Sequence, residues 1–469
     1  MSLFTGNSSS LRLGIAVACV AQFVVVLDAT IVTTALPVVG ESLGFTGGNL
    51  HWVITAYTLA FGGFLIPGGR MADLMGSRRM FMLGLGAFVL ASVGCALAWS
   101  PGALVGARIV QGVGAAFLSP AALALLSALS EPGAQRRRAV GWWTAAAASG
   151  GASGWVLGGL LTETLGWRSV FWVNLPIGLI ALVGALRIAV PATDRTGVRR
   201  LDLLGAIGVT TTLALGVYGL TSTGEHGLAS VTSWVPMLVS GGVLVLLVRH
   251  ERRIADPLVP PDLLRSRAVV GGLLTALAIT ATTSPAMFLC TLYVQQELQL
   301  SPARASLLFP VFNIAVVGGS LLAPTLLRRF GARSTLLGGF GTMGIGCAVL
   351  IAIGQDGHPI AYLVTSFALM GAGLGAASVA STQTGTEAVE VDQHGVVAGA
   401  LTSAAQVGTA LGLALTPFAI AAAGGPNYRA GFIGTLVVAM AGVGFSLLVP
   451  ARARSPATEA IEEESASTR

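Results

Sequence analysis

The chain contains no lysine; all 26 of its basic residues are arginine. A Walker A loop needs its lysine on the phosphates, and Schiff-base chemistry needs a lysine amine. ATP hydrolysis through a P-loop is therefore excluded, no nucleotide is expected as a partner, and any energy source is an ion gradient or a partner subunit. Charge of either sign is scarce, at 10% of residues against 54% hydrophobic and a mean hydropathy of +0.80. A soluble surface needs roughly a quarter of its residues charged. Length alone would divide 469 residues into about three soluble domains. So few charges cannot cover three globular cores, so the solvent of this chain is largely lipid. Cysteine is also rare. Cys19, Cys95, Cys290 and Cys347 are scattered through apolar stretches, a pattern that gives neither a disulfide framework nor a zinc site. His51, His226, His250, His358 and His394 form no ligand cluster in sequence, and neither HExxH nor CxxC occurs. No metal, no cofactor and no enzymatic activity are expected. The net charge of +6 is spread along the chain and makes no nucleic-acid patch.

What is present is a series of apolar runs long enough to cross a bilayer as helices. Fourteen are expected, at 13–36, 52–68, 80–99, 102–129, 139–162, 169–190, 202–222, 232–248, 268–295, 303–323, 334–354, 360–382, 395–423 and 430–450. The first is too long for a cleaved signal peptide, contains Asp28 and precedes no A-x-A site. Arginine then orients the chain. Alternate connections hold 22 arginines, including Arg78, Arg79, Arg136, Arg252 and Arg328, whereas the opposite set holds only Arg168, Arg304 and Arg429. Basic residues mark the cytoplasmic side. Both termini are thus expected in the cytoplasm of a bacterial inner membrane, with an even number of crossings. Twelve crossings would give the same asymmetry if 202–248 failed to cross.

A weak internal repeat organises these runs. Asp73-Leu74-Met75-Gly76-Ser77-Arg78 follows the second run and Arg328-Arg329-Phe330-Gly331-Ala332-Arg333 the tenth, with glycine and arginine at matching places. Two repeated halves around a midplane site is a transporter architecture. The expected fold is an all-α polytopic membrane protein with fourteen transmembrane helices. It has two six-helix bundles, 11–190 and 268–450, in a pseudo-two-fold relation. An inserted hairpin (201–250), a short cytoplasmic segment (1–10) and a disordered acidic tail (451–469) complete it.

Asp28 is the one carboxylate well inside a run. An ionised carboxylate in hydrocarbon costs at least about 2.5–3.5 kcal/mol. It must face the interior, find a partner or take up a proton, which makes it either a proton or cation site or half of a structural ion pair. Arg108 is its natural partner. Counting from Pro37 and Gly102 at 1.5 Å per residue puts both about 10–13 Å below the external surface. Gln111 shares the face of Arg108 one turn on. Gly141, Gly150, Gly154, Gly158 and Gly159 line the fifth run; small residues let helices pack tightly or slide. Thr402, Gln406 and Thr409 form one polar stripe. With Tyr57, Gln295, Gln296 and Asn313 they are candidates for a substrate cavity or, equally, for interhelical hydrogen bonds. Gly40-Glu41-Ser42-Leu43-Gly44 matches the nucleophile-elbow pattern, but that motif needs a strand-turn-helix context that a transmembrane helix does not offer.

These motifs together resemble the major facilitator superfamily, and in particular its fourteen-helix drug:proton antiporters. Leu27-Asp28-Ala29-Thr30 through Ala35-Leu36-Pro37 is similar to the family's first-helix motif. Gly69-Arg70-Met71-Ala72-Asp73 through Gly76-Ser77-Arg78-Arg79 is similar to the superfamily's loop after the second helix. Leu104, Arg108, Gln111, Gly112 and Gly114 resemble its fourth-helix motif. Gly141, Gly150, Gly154, Trp155, Gly158 and Gly159 have the antiporter-motif spacing, with Trp155 where the family has proline. Trp167-Arg168 and Asn174-Leu175-Pro176-Ile177-Gly178 also look like this family.

The resemblance implies alternating access, with Asp28 as coupling carboxylate, Arg108 as its modulator, and Gly69, Asp73, Gly76, Arg78 and Arg79 in a cytoplasmic gate. Proline bends a helix by removing an N–H; tryptophan cannot, so bending here falls to the glycines. The expected function is proton-coupled export of small amphiphilic drugs or antibiotics by a monomer whose partners are a lipophilic substrate, protons and the bilayer. Import or uniport, export of an endogenous metabolite, and a sensor or scaffold without transport remain as alternatives.

Overall fold

The structure is a computed structural model and describes residues 8–45, 49–131, 133–188, 202–226, 230–254, 263–353, 358–390, 393–422 and 428–451. The expectations for 1–10 and 451–469 fall almost wholly outside them. The described residues are helical throughout: α1 (Ser8–Leu43), α2 (Trp52–Met75), α3 (Ser77–Ala96), α4 (Pro101–Leu129), α5 (Ala134–Leu165), α6 (Ser169–Trp172), α7 (Asn174–Leu186), α8 (Leu203–His226), α9 (Val231–Glu251), α10 (Arg267–Leu292), α11 (Pro302–Ser306), α12 (Pro310–Ile351), α13 (Pro359–Glu387), α14 (His394–Ala422) and α15 (Tyr428–Ser446). Among them, eleven helical segments are long and apolar enough to cross a membrane. One of these, Pro302–Ile351, is interrupted at Gly331. Apolar side chains such as Leu90, Leu238, Ile314 and Leu321 are more than 70% exposed. In water that exposure would be an aggregation surface; on helices of this length it is a lipid-facing one. The chain is a multi-pass membrane protein.

Two compact units are present. The first is Met1–Glu251 with Cys290–Asn313, the second Arg252–Leu289 with Ile314–Arg469. In the first, α4 packs on α2 and α3, and α5 lies along α1. A core of Tyr57, Phe61, Phe81, Phe88, Leu118 and Leu125 fills the space between α2, α3 and α4. The hairpin α8–α9 docks through α8 on α2, where buried His51 meets Thr221 Oγ1 at 3.2 Å. Its open ends are tied by His250 and Asp202 at 3.0 Å.

In the second unit, Leu336, Phe340, Met343, Ala377 and Ala380 form the core. Each unit contains, within itself, one kind of helix contact that composition alone did not reveal. Gly154 and Gly158 of α5 lie against the carbonyls of Leu27 and Ile31 of α1, and Gly408 and Gly412 of α14 against those of Leu277 and Ala281 of α10. Glycines four apart facing carbonyls four apart is the small-residue contact that lets two helices touch along their backbones.

The two basic turns correspond as well. Gly76 has φ 93°, ψ 133° and Gly331 has φ 79°, ψ 169°, in a region essentially reserved for glycine. Each breaks its helix at the matching point of the repeat. Two expected helices are irregular: the run 169–190 divides at Val173 into α6 and α7, and α10 ends in a π-helical turn, Tyr293–Glu297.

Candidate functional site

Five side chains from four helices, α2, α3, α4 and α7, gather around Asp28 of α1. Arg108 Nη1 donates to Asp28 Oδ2 at 2.5 Å. Gln111 Nε2 donates to Oδ1 at 2.8 Å, and Asn174 Nδ2 to the same oxygen at 2.7 Å. Ser92 Oγ accepts from Gln111 and from Asn174, at 2.8 and 3.3 Å, and donates to the Phe88 carbonyl. Arg108 also donates through Nε to the Val53 carbonyl at 2.9 Å and through Nη1 to Gln111 Oε1 at 2.7 Å. Its guanidinium carbon sits 4.2 Å from the Tyr57 ring centroid, a cation–π distance. Asp28, Arg108, Gln111, Ser92 and Asn174 are all 0% exposed. A carboxylate is acceptor-only, and every group facing Asp28 is a donor. The cluster thus has the polarity of a solvation shell built from protein atoms.

The helices dictate this convergence. Arg108 and Gln111 are three apart on α4 and so share a face. Asn174 opens α7 just after the break at Val173, and the glycines of α4 and α5 bring their helices close to α2 and α1. The expected pairing of Asp28 with Arg108, and Gln111 beside it, are in place. Asn174 and Ser92 were not among the expected site residues. Asn174 carries a sequence signal, an amide between Val173 and Leu175 in an apolar run; Ser92 carries none. Tyr57, expected at a substrate cavity, is 1% exposed and serves as the ring beneath Arg108. Gln111 is likewise taken up by the cluster.

The remaining expected residues distribute as follows. Gly150, Gly154 and Gly158 face α1, whereas Gly159 faces the segment 302–313. Trp155 stacks on Phe309, centroids 4.2 Å apart and planes within 6°. Gly141 has no atom within 4 Å of its Cβ position, so it packs against nothing. In the turn after α2, Arg78 donates to the carbonyls of Ala185 and Leu186, at 3.0 and 2.7 Å. A cation thereby closes the C-terminus of α7. Gly76 begins α3 without a side-chain cap. Asp73 and Arg79 are exposed and Gly69 has only Pro120 nearby. Gln295 donates to the Thr34 carbonyl at 2.9 Å and borders a cavity of about 400 Å³ with Glu41, Gln296 and Gln299. Ser42, the would-be nucleophile, accepts from Trp167 Nε1 at 3.0 Å. In the second unit Thr402 is exposed and bonded to its own helix, Gln406 is half-buried, and Thr409 meets Ser284 at 3.1 Å. No group of three or more metal-ligating side chains occurs among the described residues.

The profile of the Major Facilitator Superfamily matches residues 18–281 and 269–469. The chain belongs to that superfamily. It is a transporter and not an enzyme. It is 38% identical over 463 residues to the cephamycin export protein CmcT of Amycolatopsis lactamdurans, covering 96% of this chain and 95% of that one. It is 39% identical over 414 residues to the puromycin resistance protein pur8 of Streptomyces alboniger, covering 86% and 80%. Among solved structures it is similar to a POT family transporter in complex with 5-aminolevulinic acid. The TM-score is 0.71 at 13% identity, over 95% of this chain and 96% of that one.

Proposed function

We propose that this chain is a proton-coupled exporter of small amphiphilic drugs or antibiotics. It would cross the bacterial inner membrane fourteen times, with two six-helix bundles (11–190 and 268–450), an inserted hairpin (201–250) and cytoplasmic termini, and work as a monomer. Relatives named for cephamycin export and puromycin resistance support drugs or antibiotics as the cargo. The excess of arginine in alternate connections supports the orientation. The observation that carries the coupling is the buried cluster of Asp28, Arg108, Gln111 and Asn174.

Its chemistry supplies a reason why proton and conformation are linked. A protonated Asp28 presents an O–H to a shell composed of donors, so a proton is accommodated only when that shell rearranges. Leaving Arg108 buried without its carboxylate is equally unfavourable, because breaking a buried pair costs roughly 3–5 kcal/mol. Protonation and withdrawal of Arg108 therefore belong to the same step, and two conformations of different proton affinity result. Asp28 has no exposed surface here, which makes this the conformation that does not exchange protons. A substrate that binds the two conformations unequally is then driven outward by inward proton flow.

The test is flux in inverted vesicles. Acidifying the lumen should drive substrate uptake, and Asp28→Asn should abolish the proton-driven component while the protein remains inserted and monodisperse. Undiminished coupled uptake by the Asn variant would refute the assignment.

A further inference from the structure

Trp155 stands where the resemblance leads one to expect proline. Its indole stands roughly a quarter-turn around α5 from the Gly150, Gly154 and Gly158 stripe and stacks on Phe309. Both rings are buried, at 5% and 0% exposure. The contact is in register along its length. Gly151 lies between α1 and this segment, its Cβ position 3.6 Å from Val26 and 3.8 Å from Asn313 Oδ1; Trp155 faces Phe309; and Gly159 faces Pro302 and Ser306 closely enough that any side chain there would collide with them.

Two features set this place apart from ordinary core packing. First, Asn313 Nδ2, one turn from Phe309, is buried and has no hydrogen-bond acceptor. An amide donor left unpaired away from water costs free energy and most buried polar groups avoid it, so an orphan donor beside a ring pair marks a place where an acceptor is missing. Secondly, the stack shares the depth of the charged cluster. Gly154 and Gly158 bracket Trp155 in sequence and meet the Leu27 and Ile31 carbonyls, on either side of Asp28. The helix that carries Trp155 packs directly on α1, which carries Asp28.

We infer that Trp155, Phe309 and Asn313 form a binding site for a flat, fused aromatic ligand bearing an acceptor oxygen. The two rings are its plates and the Asn313 amide donates to its carbonyl or hydroxyl oxygen. At 4.2 Å the plates are in contact with each other, so a ligand ring enters only when they part by about one ring thickness. That separation is the one element of the inference that rests on the transport reading above. The ring pair then replaces its own stacking with stacking on the ligand, which makes occupancy inexpensive and favours planar over globular molecules. Stacking on an aromatic side chain is sequence- and substituent-tolerant because every flat π-system has a face, so such plates select for shape.

The test is equilibrium binding to the full chain in nanodiscs without any gradient. The probes are doxorubicin, a planar hydroxyquinone, and tetraphenylphosphonium, a propeller-shaped aromatic cation that cannot slide between plates. Trp155→Leu and Phe309→Leu should each weaken doxorubicin about tenfold and Asn313→Leu about threefold. Trp155→Phe should stay within threefold of the parent, and tetraphenylphosphonium should be unaffected throughout. Failure of the parent protein to bind doxorubicin overturns the inference. So does an unchanged affinity in the Leu variants, or a parallel loss for both probes, which would mean that the rings only hold the protein in shape. Binding is read without flux, so the outcome is independent of whether Asp28→Asn uncouples transport.

Discussion

Replacing Arg108 by Met removes the guanidinium while keeping most of its apolar stem. The carboxylate of Asp28 would then be left with two neutral amide donors, Gln111 and Asn174, in a site with no exposed surface. Removing one member of a buried pair costs roughly 3–5 kcal/mol, and the Val53 carbonyl loses its donor as well. Asp28→Asn leaves the opposite remainder. Arg108 keeps the Val53 carbonyl, Gln111 Oε1 and the Tyr57 ring, three acceptors of one kind or another, so the Asn variant should be the milder single change. The double variant has no uncompensated charge and should recover about 3 kcal/mol relative to the sum of the singles, which is the upper end of couplings between contacting residues. Equilibrium unfolding of the four proteins in mixed detergent micelles measures the cycle. Additivity to within about 0.5 kcal/mol would mean that the two groups do not depend on each other, and the enclosed ion pair would have to be abandoned.

Further outcomes follow from the backbone contacts and from one surface carboxylate. Gly158→Val puts a Cβ 2.5 Å from the Ile31 carbonyl, an overpacking that should cost about 1–3 kcal/mol, whereas Gly141→Ala meets open space and should leave thermal unfolding in detergent unchanged. Ala at Gly76 or Gly331 imposes a positive φ on a side chain and should cost about 1–3 kcal/mol each, read by the same assay; a neutral effect at either would contradict the break in the repeat. Glu163 is held below the ordinary carboxylate range by the Ser301 hydroxyl and the Ala303 N–H, with Arg304 nearby. A depressed carboxyl contributes above its unfolded value and loses that contribution as pH falls through its folded value. Protection of the α11 amides against hydrogen exchange should therefore fall only below about pH 4 and be pH-independent in Glu163→Gln.

The helices were legible because each buries or exposes a continuous apolar run, which needs no partner to be recognised. The pairing of Asp28 with Arg108 was legible from depth alone: two opposite charges in one low-dielectric layer have few other solutions. What was hidden depends on partners distant in sequence. Arg78 binds carbonyls 107 and 108 residues away, and nothing in its own loop says so. Asn174 lies 146 residues from Asp28, and its local pattern identifies it only as an amide in an apolar run. Ser92 is one more small residue on α3. The glycines of α5 were visible as a set but not as two faces, because the spacing four apart fits Gly150, Gly154 and Gly158 as well as Gly151, Trp155 and Gly159. Only the neighbours separate them: α1 against Gly150, Gly154 and Gly158, the segment 302–313 against Trp155 and Gly159, and both against Gly151.

The count of donors and acceptors around Asp28 carries the coupling argument one step further. Within the cluster, Gln111 Oε1 accepts from Arg108 and Cys95, and Ser92 Oγ is saturated by two donors and its own bond to Phe88. Two polar atoms remain buried without a partner: Asn174 Oδ1 and the Tyr57 hydroxyl. An amide presents a donor and an acceptor at the two ends of one plane. Turned by half a rotation, Asn174 would present to Asp28 the acceptor that a protonated acid requires, in the place where it now presents a donor. The orphan oxygen thus has a use in the protonated state that it lacks in the ionised one. Under the proposed coupling, Asn174 is the residue whose two ends match the two protonation states, whereas the fixed positive charge of Arg108 matches only one of them. This gives the two residues opposite parts: Arg108 opposes the proton and must withdraw, and Asn174 stays and turns.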